Sequence, residues 1–180
     1  MALGGLAVLL LTAETCAVEH TPIPPGRYRM HLAVDTTETW ARCAYLDDGI
    51  QDGTILTFAV AAQPDGQGGV FRFDGEYSAG FGRPAVWAVD VAPDPDGDAY
   101  DGYQQWTILD AVGCRMEGNV ALRDVRVAMP QIRGTLGLSL GKTYASTMCA
   151  DQVPASYSSA TGVGFSCHRR FTFTAEPPAP

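Results

Sequence analysis

Positive charge is scarce in this sequence, and most of what there is comes from arginine. Lys142 is the only lysine, Asn119 is the only asparagine, and there are 3 histidines. Lys and Arg total 12 against 20 Asp and Glu, a formal net charge of −8. Such an acidic chain lacks the electrostatic footprint of a nucleic-acid binder or of a protein held on an anionic membrane. Its one dense basic run, His168-Arg169-Arg170, is too short to form a patch. The single asparagine is followed by Val120-Ala121, which excludes an N-glycosylation acceptor. No Cys-x-x-Cys pair occurs, and Cys167 is adjacent to His168; neither arrangement has the ligand spacing of a zinc site. Beyond the first residues no segment carries a 3.6-residue apolar stripe, so helices are not expected.

The chain is 180 residues long, 46% hydrophobic and 18% charged. Those values describe a folded protein with one core, not a disordered chain or a pair of domains. Abundant Ala, Gly, Pro, Asp and Val, with arginine replacing lysine, look like the codon bias of a GC-rich genome, so a bacterial source is expected. The apolar run from Met1 to Leu11 is too short to span a bilayer and fits the core of a secretory signal. Thr15-Cys16-Ala17 supplies small residues for cleavage after Ala17, although no Lys or Arg precedes the run. Residues 1–17 are thus read as a signal peptide, or as a lipoprotein-type leader in which Cys16 carries the only membrane anchor. Residues 18–26 follow as a Pro-rich connector, 27–175 as a single β domain and 176–180 as a Pro-rich tail.

Cysteine usage agrees with export. Setting Cys16 aside leaves Cys43, Cys114, Cys149 and Cys167, an even set compatible with two disulfides in an oxidising compartment. Three pairings are open. Cys43–Cys114 with Cys149–Cys167 is favoured, and loops of those lengths would contribute about 4.5 and 3 kcal/mol in the chain-entropy picture.

Alternation of apolar and polar residues runs through the chain. Tyr28, Met30, Leu32 and Val34 share one face, with Arg27, Arg29 and His31 on the other. Further strands are expected over Trp40–Leu46, Thr54–Ala62, Val70–Tyr77, Ala85–Val91, Tyr103–Val112, Val120–Met129 and Thr135–Leu140, and around Phe171 and Phe173. Within Val120–Met129 the apolar parity changes, which predicts a β-bulge at Arg123-Asp124. About 8–10 short strands with turn signals between them predict an all-β fold, an antiparallel β-sandwich or jelly-roll-like barrel.

Asp94, Asp96, Asp98 and Asp101 crowd one turn, an oxygen-rich set of the kind Ca²⁺ accepts, though Ala99 stands where an EF-hand has glycine and no Glu closes the loop. The competing reading is an ordinary hairpin turn. No other cofactor is expected. Gly137-Leu138-Ser139-Leu140-Gly141 spells the nucleophile elbow, but in a strand pattern rather than at a strand-to-helix turn. Trp40, Trp87 and Trp106 read as core residues. Tyr100, Tyr103 and Tyr157 are the better candidates for ligand contact, together with Tyr77 beside its loop.

These features point to a secreted, periplasmic or surface-attached binding or structural module, not an enzyme, whose partner is a protein or glycan at the cell surface. A calcium-dependent carbohydrate-binding module and a small secreted hydrolase using Ser139 are the alternatives.

Overall fold

The computed structural model describes residues 20–35, 50–63, 68–77, 85–111, 114–142 and 166–178. Its strands are β1 (Gly26–Val34), β2 (Ile55–Ala62), β3 (Gly69–Tyr77), β4 (Ala85–Pro93), β5 (Tyr100–Ala111), β6 (Cys114–Ala128), β7 (Gln131–Lys142) and β8 (Ser166–Glu176). Each strand pairs with its neighbour in sequence, and β1 pairs with β8 to close an antiparallel barrel. The expectation of an all-β antiparallel fold stands. Among the described residues the strands form one closed up-and-down barrel, without a second sheet, so the sandwich or jelly-roll arrangement is not what they show. Trp40–Leu46 lies outside the described residues.

The alternation read from the sequence sorts side chains between the inside and outside of this barrel. Met30, Phe58, Phe71, Trp87, Val89, Leu122, Leu136 and Phe171 all point inward and are buried. A barrel of this strand number is just wide enough for side chains to fill, and here aromatics supply much of the volume. Phe58 stacks on Tyr28 and on Phe71, and Phe73 meets Trp87 edge-on. Arg27, Arg29, His31, Arg72 and Asp74 face outward. An apolar inside and polar outside is the reverse of the pattern of a membrane-spanning barrel.

The predicted bulge is present. The β6–β7 register shifts between Arg123 and Arg126, and Asp124 adopts φ 51°. The extra residue lets Val120 and Leu122 on one parity and Val125 on the other all turn inward, each 0% exposed. Asp124 tolerates this left-handed conformation better than most residues do.

One wall is incomplete. The β4–β5 ladder has three pairs, Val91–Gly102, Ala92–Asp101 and Pro93–Tyr100, whereas β5 pairs with β6 along its length from Tyr100 to Ala111. Where the two strands part, the Gln104 carboxamide stands between them. It accepts from the Ala88 amide at 2.7 Å and donates to the Val86 carbonyl at 3.3 Å. Trp87 and Trp106 flank this seam with ring centroids 6.4 Å apart, and among the described residues neither indole N–H finds an acceptor.

The segment His20–Pro25 packs against the barrel. Ile23 is buried in the core, the Tyr100 hydroxyl donates to Thr21 O at 3.0 Å, and the Tyr28 hydroxyl donates to Pro24 O at 2.9 Å. His20 meets the Tyr100 ring edge-on at 5.3 Å and contacts Asp94 O at 3.2 Å. This end of the barrel also carries the β4–β5 and β6–β7 turns. Connections 35–54 and 143–165 start and finish at the opposite end, which is also where β6 begins with Cys114 and β8 begins with Ser166-Cys167. Cys16, Cys43 and Cys149 lie outside the described residues. Cys167 is opposite Leu140, and Leu140 is opposite Gly118, four positions along β6 from Cys114. Two strand spacings and four residues separate the Cys114 and Cys167 backbones by about 16 Å, beyond the reach of a disulfide.

Candidate functional site

The outer face of β5 to β8 carries a groove of about 500 Å³, and its shape follows from which outward residues are small. Ala121 is opposite Gly137, so neither central strand raises a side chain past Cβ there. Around that floor stand Asn119 and Arg123 on β6, Thr135 and Ser139 on β7, and Arg170 on β8, directly opposite Gly137. Asp101 and Asp124 close the groove at the bulge. Tyr103, opposite Ala121 in β5 and 61% exposed, borders the floor on the side away from Arg170.

Gly137 is not required by the fold. A Cβ there would meet Ala121 Cβ at 3.8 Å and Ala121 O at 3.9 Å, ordinary van der Waals contacts. Glycine inside a strand sacrifices stability to chain entropy; it commonly marks a bulge, a tight bend or a close approach to the backbone, and the β6–β7 register runs without a shift through Ala121 and Gly137.

Polar partners fix the rim. Arg123 Nη1 donates to Asp101 Oδ2 at 2.9 Å, and the Asp124 amide donates to Asp101 Oδ1 at 2.8 Å. Arg170 Nε lies 3.6 Å from Asp35 Oδ2. The Arg169 guanidinium sits over the Phe171 ring, 5.3 Å from its centroid.

Charge is divided between the two sides of the barrel. Among the described side chains, β1, β6, β7 and β8 carry Arg27, Arg29, Arg123, Arg126, Arg133, Arg169 and Arg170 against Glu117, Asp124 and Glu176. Among the described side chains, the stretch from β3 to β5 carries Asp74, Glu76, Asp90, Asp94, Asp96, Asp98 and Asp101 against Arg72. Ion pairs join the two sides at their borders: Arg27 with Asp74, Arg123 with Asp101, and Arg126 with Asp98 at 3.2 Å.

The residues singled out in the sequence distribute as follows. Asp94, Asp96 and Asp98 form the β4–β5 turn, and Asp101 lies just inside β5. Asp94 Oδ1 accepts from the Asp96 amide at 3.0 Å, closing its own turn. Asp98 and Asp101 face arginines of β6. Among the described residues no group of three or more His, Cys, Asp or Glu side chains is placed to hold a metal. Tyr100 is 1% exposed and anchors the His20–Pro25 segment through its hydroxyl, which makes it a core residue. Burial pushes its hydroxyl above the ordinary value of 10. Tyr77 packs on Trp87 and donates to Asp74 O at 3.0 Å; burial, then the Asp74 carboxylate, raise its pKa. Tyr103 is exposed on β5 beside the groove, opposite Ala121, without lining it. Tyr157 lies outside the described residues. Ser139 sits mid-strand between Asn119 and His168, with no turn beneath it to make a nucleophile elbow.

The groove itself was missed in the sequence. Its signal was there: small outward residues, Ala121 and Gly137, at polar positions of two consecutive strands. A second depression of about 430 Å³, on the outer face of β7, β8 and β1, is lined by His31, Arg133, Thr172 and Thr174. Comparison with protein families, with characterised proteins and with solved structures returns no match.

Proposed function

We propose that this chain is an exported binding module, built on a closed β-barrel, that takes a polar ligand on its outer wall and not in its interior. The observation that carries the reading is Gly137, a strand glycine that packing does not require, in a groove lined by Asn119, Ser139, Thr135 and three arginines, Arg123, Arg169 and Arg170. The volume is that of a small-molecule site, and its described rim offers donors and acceptors to a polar ligand. A glycan at the cell surface suits such a floor and rim. Export is supported by the apolar leader and by the even set of cysteines after Cys16.

The test is a glycan array probed with the wild-type chain and with Gly137→Gln, which would fill the floor. A signal lost in Gly137→Gln at unchanged melting temperature is expected. Equal binding by the two proteins would move the site elsewhere. The disulfide framework proposed with this reading is Cys43–Cys114 and Cys149–Cys167. Peptide mapping of unreduced protein should show no Cys114–Cys167 peptide, given the separation of their backbones in the β6–β7–β8 ladder; finding one would contradict that register.

A further inference from the structure

We infer that the depression on the outer face of β7, β8 and β1 binds a tetrahedral oxyanion, a phosphate or sulfate group, beside Arg133. It shares no lining residue with the groove at Gly137, so the two sites stand or fall separately. Its shape follows from side-chain length along two rows of the barrel wall. His31 is opposite Thr174, and Thr174 is opposite Arg133. A long, a short and a long side chain thus stand in line over two strand spacings, about 10 Å. In the next row Ala33 is opposite Thr172, and both are short. The resulting hollow of about 430 Å³ sets two threonines between an imidazole and a guanidinium.

The sign of the ligand comes from Arg133. Arg126 is directly opposite it in the β6–β7 ladder, and like charges so placed destabilise a sheet. Arg126 is offset by Asp98 at 3.2 Å. Arg133 donates to the neutral Gln131 Oε1 at 2.8 Å, and among the described residues no carboxylate pairs with it. The described lining of the hollow includes no Asp or Glu. Glu176 lies beside it, with Oε1 3.6 Å from His31 Nε2, and is directly opposite Arg29. Around the hollow Arg29, Arg126 and Arg133 therefore outnumber Asp98 and Glu176. An anion supplies the charge that Arg133 lacks. A guanidinium offers two parallel N–H groups to two oxygens of phosphate or sulfate. The Thr174 hydroxyl, without a partner among the described residues, donates to a third. A tetrahedral group presents oxygens to Arg133 and Thr174 at once, whereas a planar carboxylate engaged by the fork turns both of its oxygens toward Arg133.

The experiment titrates the full chain with sodium sulfate and sodium phosphate, and with sodium acetate and sodium chloride at matched ionic strength, while amide NMR signals are followed. Sulfate or phosphate should give saturating shifts at Ala33, Gly134 and Thr174, and acetate and chloride should not. Arg133→Gln should weaken the binding about tenfold or more, the loss expected of one charge-assisted contact, at unchanged melting temperature in the absence of the anion. Glu176→Gln, which removes the carboxylate beside the hollow, should tighten it. Gly137→Gln should leave it unchanged. Glucose phosphate and glucose sulfate separate the sources: an ester bound more tightly than its free ion makes a sugar ester the ligand, and equal binding makes it the free ion. Shifts of the same size with acetate or chloride would overturn the site, as would sulfate and phosphate binding that is indifferent to both Arg133→Gln and Glu176→Gln.

Discussion

Gly118 and Gly137 lie on adjacent strands of one ladder, yet they answer to different constraints. Gly118 faces inward, where a Cβ would sit 2.5 Å from the Trp106 ring. The indole lies flat on the space that glycine leaves, so packing dictates the residue. Gly137 faces outward and meets nothing closer than Ala121 Cβ at 3.8 Å. Its absent side chain stabilises nothing in the barrel. The difference separates what the fold needs from what the fold only carries, and the groove belongs to the second class.

Substitutions at the two positions should diverge the most. Gly118→Val forces Trp106 off its seat, and a loss of about 3 kcal/mol in denaturant unfolding is expected from overpacking. Gly137→Ala should leave stability unchanged or raise it by about 0.5 kcal/mol, because alanine restricts the unfolded chain. Similar losses at both sites would erase the distinction.

The seam between β4 and β5 sharpens the same contrast from the side of the wall that is not continuous. Gln104→Leu removes the acceptor for the Ala88 amide and the donor to Val86 O. A loss of about 1–2 kcal/mol is expected, with faster hydrogen exchange at Ala88 and little change at Gly137. Unchanged exchange at Ala88 would mean that the side chain does not bridge the seam.

The smallest effect concerns the capped end. Burial raises the Tyr100 and Tyr28 hydroxyls above the ordinary value of 10. Below pH 10 both the folded and unfolded chains keep these protons, so they add no pH dependence. Above pH 10 the unfolded chain releases them first, and stability falls. Tyr100→Phe should therefore cost about 1 kcal/mol at neutral pH, for the bond to Thr21 O, and should flatten the alkaline fall in melting temperature. An alkaline fall as steep as in the wild type would remove Tyr100 from that account.

Much of the barrel was legible in the residues, because period-two alternation is a local property. Phe71 and Phe73 turn inward between Arg72 and Asp74 as their spacing required. The parity change at Arg123-Asp124 identified the bulge. Closure was not legible: whether the final strand meets β1 or a second sheet depends on twist and tilt summed over every strand, which no local pattern encodes. The packing of the His20–Pro25 segment was not legible for a related reason. Its prolines do stiffen it, but Ile23 gives it a face to bury. The site was harder still. The basic run at Arg169-Arg170 looked too short to matter, and in sequence it was. Arg123, Arg133 and Arg170 come to one side of the barrel only through the β6–β7–β8 register. The seam glutamine had no sequence signal, since Gln104 alternates like any strand residue.

The central claim is that ligand meets this barrel on the outer wall at Gly137. The most direct measurement follows the amide NMR signals of the isotope-labelled chain during titration with a glycan retained on the array. Shifts concentrated at Tyr103, Asn119, Gly137, Ser139 and Arg170, with Trp87, Ala88 and Gln104 undisturbed, are the predicted result. Shifts gathered instead at the β4–β5 seam, around Ala88 and Trp106, would contradict it and send the ligand to the Trp87 and Trp106 indoles.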